Sequence, residues 1–245
     1  MEKIVAKNDA FGREIWDHYQ GLPAFEIVER DDGFIVPGTG PRLYFLEYKD
    51  WELYEKKAVA KVRGRVLDIG CGAGRHALYL QSKGYDVTAI DNSPLAVKTC
   101  RLRGVSNVRL MSFTQVSRKL GCFDTVIMFG NNLALLGNPK RAIWFLRRLL
   151  AVTSQQGRII GLIRNPYETD VKEHLDWHKR NRREGRMSGQ GRIRIRYLNC
   201  IGPWIEFLFL SPEELTRLAS LGGWAVSEVV HGPGGQYAAI MDKAQ

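Results

Sequence analysis

The sequence predicts an α/β fold, a doubly wound sheet of seven strands, mostly parallel, with helices on both faces. Three observations predict it. Strand-like and helix-like stretches alternate from residue 65 to residue 163, as consecutive βαβ units do. The stretch 157–163 is nearly all apolar, as befits a central parallel strand buried on both faces. A glycine-rich turn at 70–74 directly follows the first of these strands.

The elements follow in order. Residues 1–60, rich in aromatics, are expected to form a helical or irregular cover. A short apolar strand is expected at 65–69. Helix formers fill 75–83, and Gly84 is placed to end that helix, because glycine takes the left-handed conformation without a steric penalty. Residues 85–90 are β-rich and end at Asp91. Ser93 and Pro94 then supply an N-cap and a first-turn proline for a helix through Arg103. Further strands are expected at 107–111 and 123–129, and Asn138 with Pro139 opens a helix to about residue 151.

After Asn165 and Pro166 the rhythm changes. Residues 167–184 are polar and expected to be mostly helical, and 185–191 form a loop. Residues 192–198 alternate strictly, which predicts a strand paired antiparallel with 204–210 through Gly202 and Pro203. Ser211, Pro212 and Glu214 make a capping box for a helix to Leu221. Strands at 224–230 and 236–241 complete the sheet. The expected division is a cover (1–60), a main domain (61–165 and 211–245) and an inserted helix and ribbon (166–210).

Composition sets bounds. With 245 residues, 44% hydrophobic and 25% charged, the chain is expected to fold as a soluble globular protein without staples. Its apolar runs fall far short of the ~20 residues of a membrane span. Residues 1–9 turn polar too quickly for a secretory signal, so a cytoplasmic location is expected. Cys71, Cys100, Cys122 and Cys200 show no metal-ligand or disulfide-framework spacing, and no metal is expected. The net charge of +10 is concentrated in residues 172–196, where nine bases face three acids.

The chemistry-bearing motif runs from Val66 to Gly74: Asp68, then Gly70, Cys71, Gly72, Ala73 and Gly74, with Asp91 ending the next strand. Glycines at 70, 72 and 74 permit a tight turn and a close backbone approach by a ligand. A carboxylate about 20 residues beyond such a loop suits a ribose diol, because it accepts from both hydroxyls. Dinucleotide sites space their glycines G-x-G-x-x-G around a pyrophosphate. Here the spacing is G-x-G-x-G, and Asp68 stands two residues before the first glycine. A carboxylate there is ill placed beside a pyrophosphate and well placed beside an ammonium or sulfonium.

These residues resemble the first motif of the class I S-adenosylmethionine-dependent methyltransferases, and Asp91 resembles that family's ribose-binding acid. The resemblance covers residues 62–163 well and the last strands loosely. It implies a Rossmann-like sheet with an antiparallel C-terminal strand, S-adenosylmethionine as methyl donor and S-adenosylhomocysteine as product. It further implies that 70–74 lies against the methionine part of the donor and that Asn92 lies beside the adenine. The family's acid toward the adenine amino group is missing, and Ser112 and Phe113 stand at that place. Phe129, Gly130, Asn131 and Asn132 resemble a sequence of glycine-N-methyltransferase-like and uncharacterised prokaryotic relatives. The Asn-Pro-Pro-Tyr type signature of many nucleobase-amine methyltransferases is absent.

The implied reaction is in-line transfer of a methyl group to a small-molecule acceptor, with alignment as the main contribution of the protein. The acceptor is expected between Asn131 and Asn132, the cover and the insertion. Candidate catalytic groups are Asn131, Asn132, His18 and Tyr19. Tyr44, Tyr48, His76 and His231 have structural readings that serve as well. Three readings stay open for the basic run: a solvated surface, a site for an anionic acceptor, or an RNA-binding face. The rival functions are an RNA methyltransferase or RNA-binding protein and an NAD(P)-dependent oxidoreductase.

Overall fold

A computed structural model describes residues 4–5 and 7–244. In chain order its elements are α1 (Ala10–Tyr19), β1 (Ile27–Arg30), β2 (Ile35–Pro37), α2 (Leu53–Val59), β3 (Val66–Ile69), α3 (Arg75–Ser82), β4 (Val87–Asp91), α4 (Pro94–Leu102), β5 (Val108–Leu110), β6 (Phe123–Met128), α5 (Pro139–Leu150) and β7 (Thr153–Arg164). There follow α6 (Lys172–Arg183), β8 (Gln190–Tyr197), β9 (Cys200–Ile201), β10 (Ile205–Leu208), α7 (Pro212–Leu221), β11 (Trp224–His231) and β12 (Gln236–Lys243).

The seven strands expected for the main sheet form it, in the order β11-β12-β7-β6-β3-β4-β5. Pairs β4–β5 and β6–β7 are parallel, and β12 runs antiparallel to β7 and to β11. Two strands are longer than their apolar stretches. β7 begins at Thr153, which pairs with Phe123, and β12 runs on to Lys243 opposite Trp224. Backbone pairing carried these strands past the point where the hydrophobic pattern stops.

A second sheet has the order β10-β8-β1-β2, with β9 on β8. The expected pairing of the alternating segment with the strand that follows it is present as β8 beside β10. Two partners were not expected: β1, in register Val28 to Ile195, and β9, through a tight hairpin with Leu198 at φ 52°. The helix expected over 167–184 occupies only Lys172–Arg183.

The chain divides into two compact units, one made of residues up to 51, 67–115 and 192–205, the other of 52–66, 116–191 and 206–245. In the first, α1 and α4 are joined by one carboxylate. Asp9 caps α1 by accepting from the Gly12 amide (2.9 Å), and its other oxygen accepts from Ser93 Oγ (2.8 Å) and the Leu95 amide (3.0 Å). Ser93 Oγ in turn accepts from the Ala96 amide, so two helix starts share one polar knot. Gly12 lies inside a helix, where glycine is otherwise costly. A Cβ there would stand 2.1 Å from Ser93 Oγ, so the close approach of the helices requires it.

In the second unit, α5 starts at Asn138, whose side chain accepts from the Arg141 amide, with Pro139 at the first turn. Its buried face is Ala142, Phe145, Leu146 and Leu149, the i, i+3, i+4, i+7 spacing of a helix docked on one side. The capping box of Ser211 and Glu214 forms as expected. Trp224 is fully buried and donates its indole N–H to the Leu146 carbonyl (2.9 Å). Among the described residues no helix is long and apolar enough to cross a membrane.

Replacing Gly12 by alanine is expected to lower stability by about 1–3 kcal/mol through overpacking. A thermal melt checks this, and an unchanged melting temperature would show that the two helices tolerate a methyl group between them.

Candidate active site

The site grows from the ends of β3 and β4 in the first unit. The bend after β3 is fastened to β4 by two amides: Gly70 and Cys71 both donate to the Ile90 carbonyl (2.8 and 3.1 Å). Asp91 holds the next turn, accepting from the Gly72 amide on Oδ2 and from the Ser93 amide on Oδ1, each at 2.9 Å. Gly72 and Gly74 have φ of 54° and 82°, a region that disfavours any other residue. Gly74 has a second reason to lack a side chain, because a Cβ would stand 2.5 Å from Cys100 Sγ.

The acids here are buried. Asp68 is 1% exposed, and its Oδ2 finds no hydrogen-bond partner. Burial, reinforced by the charge of Asp91 and opposed by Arg75, pushes its carboxyl up to about 7. Burial likewise raises Asp91 to about 6, although the amides of Ser93, Gly72 and Asn92 favour its ionised form. A buried carboxylate oxygen without a donor beside a glycine-rich bend fits a ligand that brings a cationic group. The amino-acid end of S-adenosylmethionine meets that description. Cys71 is no nucleophile: its Sγ lies 3.7 Å from Cys100 Sγ, and that contact together with burial holds the thiol well above its ordinary range.

The N-terminal segment closes over this bend. Tyr44, Phe11 and Ile15 approach the side-chain-free face of Gly72, at 3.6, 3.8 and 4.0 Å from where a Cβ would be. Arg103 fastens the cover by donating to the carbonyls of Ala73 (2.5 Å) and Tyr44 (3.4 Å), with its guanidinium over the Phe45 ring. Burial is the first cause, with the charges of Glu26 and Glu14 next, of a Tyr44 phenol pushed well above its usual range.

Glu14 and Glu26 were missed in the sequence. Both are buried, at 0% and 3% exposed, and they face each other. Burial first, then the neighbouring Glu26, pushes the Glu14 carboxyl up to about 10. A signal was there to read: Ala10, Glu14 and Asp17 fall on one face of α1, so two acids occupy positions that the spacing assigns to the core. Asp17 is matched there by the Tyr197 hydroxyl, which donates at 3.1 Å.

The first unit thus brings together Asp68, Gly70, Cys71, Gly72, Ala73, Gly74, Asp91 and Asn92. Met111 follows β5 and donates its amide to the Asp91 carbonyl (2.8 Å). Beyond it Phe113 is buried, and the Ser112 hydroxyl is bonded to Thr114 Oγ1 (2.9 Å). His18 packs on Phe45 (ring centroids 4.8 Å apart), and Tyr19 is exposed beside Trp16. Tyr48 stacks on Tyr79, and His76 packs edge-on against Trp51. Phe129, Asn131 and Asn132 belong to the second unit, where they form a tight turn after β6. There the Asn132 amide donates to the Phe129 carbonyl, and Asn131 is held at φ 66° without capping the short helix it precedes. His231 ends β11 and is exposed.

The arginines of β8 are paired within the first unit. Arg194 makes a two-point contact with Glu29 (2.8 Å each), Arg196 shares the same carboxylate, and Arg192 lies 3.8 Å from Asp31. Both of these acids come from or adjoin β1. Arg192 and Arg194 also stack over Trp204. On α6 Asp176 pairs with Lys172 and Lys179, and just past its end Glu184 pairs with Arg180 and Arg186.

Residues 66–157 match a family described as "Methyltransferase domain". An uncharacterized methyltransferase, C750.03c, of Schizosaccharomyces pombe (strain 972 / ATCC 24843) is 38% identical over 77 residues, 29% of this chain and 53% of that protein. The chain spans about half or less of the curated relatives it matches. A SAM-dependent methyltransferase from Bacteroides fragilis, crystallised in complex with S-adenosyl-L-homocysteine, superposes with a TM-score of 0.84 and 25% identity, covering 100% of this chain and 98% of that one. The 1,6-didemethyltoxoflavin-N1-methyltransferase of Burkholderia thailandensis, with bound 1,6-didemethyltoxoflavin and S-adenosylhomocysteine, shares the fold at a TM-score of 0.53 and 16% identity, covering 100% and 94%.

The raised acids predict a pH dependence. Asp91, Asp68 and Glu14 keep protons in the folded chain that the unfolded chain releases. They therefore favour folding below pH about 4, and that contribution is lost as pH rises through about 6, 7 and 10 respectively. Scanning calorimetry of the ligand-free protein is expected to show the melting temperature falling between pH 5 and 9, less steeply in Glu14→Gln. A flat profile in the parent would remove the burial argument.

Proposed function

From a chain built on the class I S-adenosylmethionine-dependent methyltransferase fold, with a methyltransferase domain at residues 66–157, we propose that it transfers the donor's methyl group to a small-molecule acceptor. The observation that carries this reading is the unpartnered, buried Asp68 oxygen beside the Gly70–Gly74 bend. S-adenosylmethionine, when bound, supplies a methyl group on a sulfonium, already activated for displacement. Asp68 offers its free oxygen to the donor's ammonium, and the bend brings backbone close to the methionine chain. Asp91 has used one lone pair of each oxygen on an amide, and the remaining ones accept the ribose hydroxyls. Asn92, Ser112 and Phe113 border the adenine. The protein contributes alignment and exclusion of water, under the aromatic cover of Phe11, Tyr44 and Phe45.

On the acceptor side, Asn131 is the favoured residue. It stands at the carboxyl end of β6, the sheet edge at which α/β folds take ligands, in a backbone conformation that costs energy for a residue with a side chain. A small-molecule acceptor accords with the Burkholderia thailandensis protein, whose structure holds bound 1,6-didemethyltoxoflavin. The readings that need free charge on the basic stripe, an anionic acceptor or RNA, are weakened by the acids that take up that charge locally. A cytoplasmic site of action accords with the composition.

Asp91→Ala is expected to weaken S-adenosylhomocysteine binding by about a hundredfold or more in calorimetry, with the far-UV circular dichroism unchanged. Near-parental affinity would remove the ribose role. In a thermal-shift comparison the parent should respond to S-adenosylhomocysteine and not to NADH; the reverse would favour an oxidoreductase. With labelled methyl donor and a pooled metabolite extract, Asn131→Gly keeps the backbone conformation and discards only the amide. It should transfer at least about tenfold less label, and undiminished transfer would leave Asn131 a turn residue.

A further inference from the structure

The cover carries a paired acid that the donor chemistry does not use. Glu14 Oε1, Glu14 Oε2 and Glu26 Oε2 are all buried, and their polar contacts run between the two carboxyl groups and to the Glu26 backbone, with no cation paired to them among the described residues. A buried pair of acids that shares one proton still carries one charge, and natural interiors rarely leave such a charge without a cation. The arrangement is also built for. Gly38 is not in the left-handed region, yet a Cβ on it would stand 2.0 Å from Glu26 Oε1, so its missing side chain makes room for that carboxylate. Its amide donates to the Glu26 carbonyl (2.8 Å), which fixes the fit.

The pair lies in the cover, beside the side chains that reach the glycine bend. Glu14 is flanked on α1 by Phe11, one turn earlier, and by Ile15, and both of those side chains reach the open face of Gly72. Tyr44, over the same glycine, feels the charges of Glu26, Glu14, Arg75 and Asp91. Arg75 is the one cation in that set. It also opposes the charge on Asp68 and lies over the Trp51 ring, so it is shared among several groups.

We propose that Glu14 and Glu26 form an ammonium-binding site in the cover of the bend, and that the methyl acceptor is a small primary or secondary amine held there by its nitrogen. This rests on the methyltransferase reading above. The pair holds one proton between its two carboxyl groups and keeps one negative charge for the incoming ammonium. Transfer of an ammonium proton to the charged carboxylate frees the nitrogen lone pair. That lone pair forms the new N–C bond while the C–S bond breaks toward sulfur, leaving neutral S-adenosylhomocysteine and a methylated ammonium. Water takes the proton from the carboxyl group when the product leaves.

The test uses the full chain saturated with S-adenosylhomocysteine and titrated with n-butylammonium chloride, with n-butanol and sodium n-butyrate as controls, read as melting temperature. The parent should be stabilised by n-butylammonium alone. Glu26→Gln should bind the amine at least about tenfold more weakly while keeping S-adenosylhomocysteine affinity within about threefold. Gly38→Ala displaces the same carboxylate without changing charge and should show the same loss, which guards against a fault peculiar to the glutamine variant. An equal response to n-butanol, or an undiminished amine response in both variants, overturns the proposal. So does a tenfold fall in S-adenosylhomocysteine affinity in Glu26→Gln, which would assign the pair to the donor's own ammonium. A parent that binds S-adenosylhomocysteine but ignores n-butylammonium overturns this proposal alone. A parent that fails to bind S-adenosylhomocysteine overturns the proposed function together with it.

Discussion

The grip of Asp91 on the Gly72 and Ser93 amides is the constraint from which the site follows. A strand end, a bend of left-handed glycines and a helix start have to meet at one place, and each leaves backbone N–H groups without partners. One carboxylate satisfies two of them and thereby sets the distance between β4 and the bend. The carboxylate is buried to do so, which raises its proton affinity, and Asp68 is raised first by its own burial and then by the charge of Asp91. The crevice is therefore formed from groups that carry more negative potential than the surrounding protein balances, and a cationic ligand is its natural complement.

The cover continues this chemistry. Its first helix is fixed by Asp9, which also serves Ser93 and the first turn of α4, so the cover and the segment that follows Asp91 share one polar knot. In the same cover lie Glu14 and Glu26, buried and bonded to each other with no cation beside them among the described residues. An interior of this kind gives up stability relative to an apolar one. The cost falls on the segment nearest the bend, where strained or unsatisfied groups are most often part of a mechanism.

The basic stripe shows the opposite arrangement. Alternation placed Arg192, Arg194 and Arg196 on one face, and they do share it, but β1 brings Glu29 and Asp31 against that face. The charge excess of the segment is a property of the chain in one dimension. Folding brings acids from about 165 residues away and converts the stripe into a seam between strands.

The sequence by itself determined the main sheet, its seven strands, the capped helices and the glycine bend with its two acids. All of these are short-range: apolar periodicity, a proline at a first turn, a Ser or Asn at a cap, a glycine where φ must be positive. They can be read locally because the physical cause acts within a few residues. Tertiary structure decided the pairing of β1 with β8, the partners of the arginines, the need for Gly12 and Gly38 to lack side chains, and the meeting of Glu14 with Glu26. Each depends on atoms distant in sequence coming within a few ångströms. The energetic meaning of a charge or of a missing Cβ is set by what lies opposite it, and no local pattern records that.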